Sequence, residues 1–277
     1  MSELLELYGD PLILSVGGLF IGGLFGFFAQ RSRFCLRAAV VEFWHRKFGE
    51  KLSVWLLAFS SAVILVQIMV LSGFLDKGSA RQISATGSLS GALVGGILFG
   101  LGMILTRGCA SRLLVLSANG NLRALLSGLI FAVTAQASLA GVLSPVRTEI
   151  SSWWVIEGGP SAEWLMRVLS YPSPEIGFEF GMLPGVFLGS LIGALLGRDF
   201  KLEGFNDGYS MRRYIVGAIL MGFGSMLAGG CAVGAGVTGG AIFALTAWVS
   251  LLGMWIGAGL ADRLIDTAPV TPSFRAP

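Results

Sequence analysis

The chain has 277 residues, of which 54% are hydrophobic and only 13% charged, with a mean hydropathy of +0.78. Soluble domains carry about 25% charged residues, so the composition excludes a soluble fold and specifies an integral membrane protein. A net charge of +3 is too small to imply a nucleic-acid partner, and three cysteines without a CxxC argue against a disulfide framework or a zinc site.

A membrane-crossing helix needs about 20 mostly apolar residues. Residues 11–30 are free of charge and meet that length. They follow an acidic start (Glu3, Glu6, Asp10), the wrong sign for a cleaved signal peptide. The stretch 31–51 is basic, with Arg31, Arg33, Arg37, Arg46, Lys47 and Lys51 against Glu42 and Glu50. Within it FCLRAAVVEFW reads as a short half-helix, and His45, alone in a basic cluster, is expected to be neither ligand nor catalyst. Residues 52–75 form a second span. A polar loop with Asp76, Lys77 and Arg81 leads to a third, 82–106. Residues 107–123 read as a basic loop holding Cys109 and Arg112, and 124–146 as a fourth span. Gln67 and Gln136 lie inside spans and are expected to tie helices together.

Composition changes at 147–179, where Trp153, Trp154, Trp164, Tyr171, three prolines and five glutamates collect. We read this as an extramembrane or interfacial segment with aromatics at headgroup level. Residues 180–197 form a fifth span and 198–213 a polar loop. Residues 214–261 carry no charge at all, enough for two spans joined through AGGCAVGAGVTGG. That joint stays near membrane depth, so it has to be buried in protein or line a cavity. The tail from Asp262 is polar and expected to be mobile. Seven spans put the basic loops on one side, and the positive-inside rule then sets the N-terminus outside and the C-terminus inside.

An internal repeat runs through this order. Gly22, Gly26 and Cys35 have the spacing of Gly96, Gly100 and Cys109, and Ala218, Gly222 and Cys231 repeat it. A fourth copy, Gly189 and Gly193, has Leu202 where the thiol would stand. Cys109 is therefore expected on an aqueous pathway and Leu202 off it. The glycine ladders read as helix packing. The expected fold is an all-α integral membrane protein: a multi-span helical bundle with internal repeats and re-entrant or broken half-helices meeting near the midplane. It forms one transmembrane transport domain, 1–277.

Broken helices at repeat interfaces build central transport sites, and helix N-termini suit an anion. Glycine beside cysteine, as in Gly108-Cys109 and Gly230-Cys231, lets a ligand approach the backbone. Arg31, Arg33, Arg107 and Arg112 draw anions toward the mouth. The candidate substrate-binding residues are Cys35, Cys109, Cys231, Arg33, Arg107, Gly108 and Gly230. No metal or cofactor motif is visible.

GFFAQRSRFCLRAA, GMILTRGCASRLL and GFGSMLAGGCAVGAGVTGG resemble the cysteine motifs of the YeeE/YedE sulfur-transport family. The resemblance covers nearly the whole chain. It implies a non-enzymatic, multi-pass protein of the bacterial inner membrane. It also implies three central cysteines, at motif positions Cys35, Cys109 and Cys231, that pass thiosulfate along by transient S–H contacts. It further implies a small cytosolic sulfur-carrier protein as partner. A thiolate beside a dianion would set like charges close together in a poorly screened site, so neutral S–H is expected at Cys35 and Cys231, with Cys109 beside Arg107 the exception. Two other readings compete: a membrane thiol oxidoreductase, and a transporter of the same fold for selenium compounds or another anion. Disulfide exchange wants paired thiols, whereas each cysteine here stands singly in its own repeat.

Overall fold

The computed structural model describes residues 10–75, 87–156, 178–200 and 208–265. Its main elements are α1 Asp10–Ser32, α2 Leu36–Trp44, α3 Glu50–Leu71, α4 Leu89–Leu105, α5 Ala110–Ala118, α6 Leu122–Ala140, α7 Ser144–Ser152, α8 Phe178–Gly197 and α9 Gly208–Leu227. A π-helical segment Ala232–Thr238 runs into the short α10 Gly239–Ala241, and α11 Leu245–Ile265 follows. Two two-residue strands, β1 Gly87–Ser88 and β2 Val155–Ile156, pair antiparallel and tie the start of α4 to the chain after α7. Among the described residues six helical stretches are long and apolar enough to cross a membrane, and the apolar helix Gly181–Gly197 is somewhat shorter. The protein is a multi-span helical membrane protein.

Small residues line the helix seams, while many large apolar side chains face outward. Phe20, Leu57 and Leu71 are exposed, as expected where the surrounding solvent is hydrocarbon and close backbone packing drives helix association. Glycines let the backbones meet. A Cβ on Gly22 or Gly26 of α1 would strike the carbonyls of Met182 or Val186, and one on Gly185 or Gly189 of α8 those of Leu19 or Gly23. The rising numbers on both sides show that α1 and α8 run parallel. Gly96 and Gly100 of α4 meet Ser250 and Met254 of α11 in the same way, while Gly95 and Gly102 meet Gly224 and Gly217 of the antiparallel α9. The glycine ladders are thus packing seams.

A second seam is aromatic. Trp55 and Phe59 of α3 stack at 5.3 Å, and Trp55 meets Trp255 and Phe59 meets Trp248 edge-on at 5.7 and 5.6 Å. Such pairs contribute about 0.5–1.5 kcal/mol each beyond their buried area. They hold α3 antiparallel to α11.

Three expectations differ from the structure. Residues 110–118 are not loop but the half-helix α5, capped at Asn119. The tail does not begin at Asp262: that residue lies inside α11, buried, with its carboxylate 2.7 Å from His45 Nε2. Gln67 does tie helices, its amide donating to Ala241 C=O at 2.7 Å, but Gln136 is exposed on a shallow groove with Val133, Ala137, Ala140 and Gly141. Of the segment 147–179, the first part is α7 and β2, and residues 157–177 lie outside the described residues.

Candidate functional site

Each cysteine stands at the same kind of break. A long helix ends in a Schellman cap, in which the N–H groups of two successive residues bond back to the last turn and the first takes the left-handed conformation. At the end of α1, Arg33 N–H bonds Gln30 C=O and Phe34 N–H bonds Ala29 C=O, both at 3.3 Å, with Arg33 at φ +52°. At the end of α4, Arg107 N–H bonds Ile104 C=O at 3.3 Å and Gly108 N–H bonds Met103 C=O at 3.1 Å, with Arg107 at φ +58°. At the end of α9, Gly229 has φ +79° and Gly230 N–H bonds Ser225 C=O at 2.8 Å. Two residues beyond each left-handed position is a cysteine: Cys35, Cys109, Cys231. Each is the N-cap of a short helix.

The short helices end alike. His45 caps α2 before Arg46 at φ +55°, Asn119 caps α5 before Gly120 at φ +89°, and Ile242 caps α10 before Phe243 at φ +59°. Every far end is tied to a long helix. Trp44 Nε1 donates to Trp255 C=O at 3.0 Å beside the His45–Asp262 contact, Asn119 Nδ2 donates to Gln30 Oε1 at 2.8 Å, and Gln67 holds Ala241. The interval from cysteine to C-cap is ten residues in the first two breaks and eleven in the third. The extra residue is taken up by the wider π turns of Ala232–Thr238.

The fourth copy differs. The left-handed cap after α8 falls at Arg198, with φ +55° and Asp199 N–H to Ala194 C=O at 2.9 Å. By hinge geometry the position matching a thiol is Phe200, not Leu202, which lies outside the described residues.

The first two breaks converge. The sulfurs of Cys35 and Cys109 are hydrogen-bonding neighbours. The N–H groups of Ala38 and Arg112, each in the first turn of its half-helix, are directed at these two sulfurs, and Ser111 Oγ lies 3.3 Å from Cys109 Sγ. Two positive helix ends therefore point at one spot. Both sulfurs lie in the field of Arg112, as do Arg33 and Asp199, and Cys35 also lies in that of Arg37. The Nη1 of Arg112 is buried without a hydrogen-bond partner.

Cys231 is half-buried and packs against the same central apolar cluster, which contains Cys109 together with Leu36, Phe99 and Met254. All three thiols are free. Cys109 is 1% exposed. Arg33 and Arg107 are exposed, Gly108 is buried and Gly230 half-buried. Gly230 has φ +154°, and a Cβ there would come within 2.9 Å of Ala235 N. Only glycine fits that combination. Among the described residues no group of three or more His, Cys, Asp or Glu is placed to hold a metal ion.

The partners that sequence reading passed over are Ser111, Arg37 and the Gln30–Asn119 pair. Arg37, Ser111 and Arg112 sit two or three positions after a cysteine. That spacing places them in the first turn of a half-helix once the cysteine is known to be an N-cap.

Residues 31–158, and again 149–260, match a family described as Sulphur transport. The first match holds the breaks at Cys35 and Cys109, the second the break at Cys231. The chain is 24% identical to the Thiosulfate transporter TsuA of Spirochaeta thermophila, across 89% of this chain and 98% of that protein. It is 24% identical to the Thiosulfate transporter TsuA of Escherichia coli across 93% and 96% of the two chains. The Probable transporter YedE of Escherichia coli is 32% identical over 38% of this chain and 25% of its own length.

Proposed function

We propose that this chain, which belongs to the sulphur-transport family, moves thiosulfate or a closely similar sulfur anion inward across the bacterial cytoplasmic membrane. The observation that carries the reading is the meeting of Cys35 and Cys109 at two half-helix N-termini. Each S–H offers a weak donor to the anion's terminal sulfur. Weak bonds suit conduction, which needs release at every step. Exposed Arg33 and Arg107 draw the anion to the breaks, the backbone at Gly108 and Gly230 lines the way past the thiols, and Cys231 serves as the third contact. The whole chain acts as one transport domain with its N-terminus outside and C-terminus inside, and a small cytosolic sulfur-carrier protein receives the product.

The test is growth on thiosulfate of a cell lacking its own thiosulfate uptake, followed by uptake of labelled thiosulfate into proteoliposomes. Rescue by the parent, and at least about tenfold slower uptake in Cys35→Ala and Cys109→Ala at normal expression, are expected. Cys→Ser should rescue little, because the hydroxyl lacks the soft, polarisable sulfur. Uptake should fall as pH rises and thiolate begins to repel the dianion. Near-normal transport by all three Ala variants would defeat the relay.

The same convergence also favours a second reading. Two thiols in contact are the pair that disulfide exchange requires, which the separate repeats did not suggest. A redox titration decides: an activity that depends on a reversible Cys35–Cys109 disulfide would make the protein an oxidoreductase.

A further inference from the structure

Arg112 is the feature of the paired break that a thiol relay alone leaves without a task. It is the third residue of α5, and its charge acts within electrostatic range of the sulfurs of Cys109 and Cys35. A guanidinium is charged at any working pH and presents five N–H donors in a fixed fork. Here Nη1 is buried with no acceptor, although buried donors on charged groups are costly to leave unmatched. Arg33 faces it with a like charge and Asp199 with an opposite one, and the two helix N-termini add positive potential at the same spot. Four features therefore ask for a hard oxyanion: the free Nη1, the second arginine and the two helix ends. Two thiols beside them ask for a soft sulfur.

We propose that Arg112 is the specificity-determining residue of the Cys35–Cys109 site. It takes the oxygens of an anion whose terminal sulfur lies against the thiols. The ligand class is a small anion with a soft sulfur at one end and an oxyanion head at the other, as opposed to hydrosulfide, which has only the first, or sulfate, which has only the second. This rests on the reading that the thiols touch the transported anion.

The experiment uses the full-length protein in proteoliposomes and measures labelled thiosulfate and hydrosulfide uptake, each with sulfate as competitor. Folding is followed by size exclusion and thermal melting. The parent should prefer thiosulfate to hydrosulfide, with sulfate a weak competitor. In Arg112→Gln the ratio of thiosulfate to hydrosulfide uptake should fall at least about tenfold while hydrosulfide flux is kept, because one buried polar recognition element carries most of such discrimination. Cys109→Ala should slow both anions. If Arg112→Gln does not fold, Arg112→Lys is read instead: a KM for thiosulfate raised several-fold with hydrosulfide flux unchanged supports the assignment, since a point charge does not replace the fork. An unchanged ratio in folded Arg112→Gln, an unchanged KM in Arg112→Lys, or a parent indifferent between the two anions overturns it. A parent that carries no thiosulfate at all would instead defeat the transport reading on which it stands.

Discussion

The first two breaks and the third share one backbone plan and differ in what they offer a ligand. At Cys35 and Cys109 the left-handed cap residue is arginine, the half-helix is a regular α-helix of nine residues, and the two sulfurs meet beside Arg112. At Cys231 the cap is Gly229, the half-helix opens as a π-helix, and residues 229–241 carry no charge. Arginine in the left-handed region is disfavoured by roughly 1–2 kcal/mol relative to glycine. Both paired breaks carry that backbone cost, as do Arg46 and Arg198 at positions without a thiol. The third break keeps the geometry without the charge, and absorbs an additional residue while its cap positions stay in place. One hinge plan is thus repeated with different chemistry at each copy.

The comparison can be broken first at the thiols. Cys35→Ala and Cys109→Ala should each lower uptake at least about tenfold, and the double variant should be little worse than either, because residues in contact are not additive. Cys231→Ala combined with either should multiply the losses. A multiplicative Cys35–Cys109 pair in a double-mutant cycle of uptake rates would dissolve the distinction between paired and single breaks.

The next largest contrast lies one residue before the thiols. Gly230→Ala combines a left-handed φ with a backbone clash against Ala235 N and should cost about 2–3 kcal/mol. Gly108→Ala meets only ordinary contacts with Leu113 beyond 3.4 Å and should stay within about 0.5 kcal/mol. Thermal melting of the two purified variants checks this, and equal losses would show that the breaks are held alike.

The far ends of the half-helices should separate by a smaller margin. His45→Ala leaves the buried Asp262 carboxylate without its imidazole and is expected to cost about 1–2 kcal/mol. Gln67→Ala removes one bond to the third half-helix and should cost about 1 kcal/mol or less. Chemical or thermal denaturation in detergent orders them.

The smallest effects on stability belong to the arginine cap residues, which sharpen the comparison through charge. Arg33→Gly and Arg107→Gly should raise stability by up to about 1 kcal/mol, yet slow uptake, and more so at low salt, where steering is least screened. Gly229→Arg has open space around its Cβ but sits at φ +79°, so it should cost about 1–2 kcal/mol while adding salt-sensitive uptake at the third break. A variant-to-parent rate ratio that stays the same between low and high ionic strength in all three variants would remove the arginines from anion capture.

Composition alone settled the membrane class, because an apolar chain with few charges has no stable place in water, and charge-free runs of spanning length marked the long helices. The glycine spacing announced the repeats and the packing seams, since a missing Cβ at every fourth residue has few uses besides close helix contact. The breaks themselves were half visible. Gly229-Gly230 is an open cap signal, but Arg33 and Arg107 hold the same left-handed position with side chains that the cap rules do not anticipate, and α5 passed for a loop for that reason. Buried Asp262 was hidden by its place near the chain end. Only the tertiary structure decided that Cys35 and Cys109 meet while Cys231 packs against the apolar cluster that contains Cys109. Local spacing sets which residue caps a half-helix, but which half-helix tips face one another depends on the packing of α1, α4, α8 and α9 across the bundle. Those contacts are made between backbones through glycine, alanine and serine, residues that recur throughout the chain, so they leave no mark of their partner in the sequence.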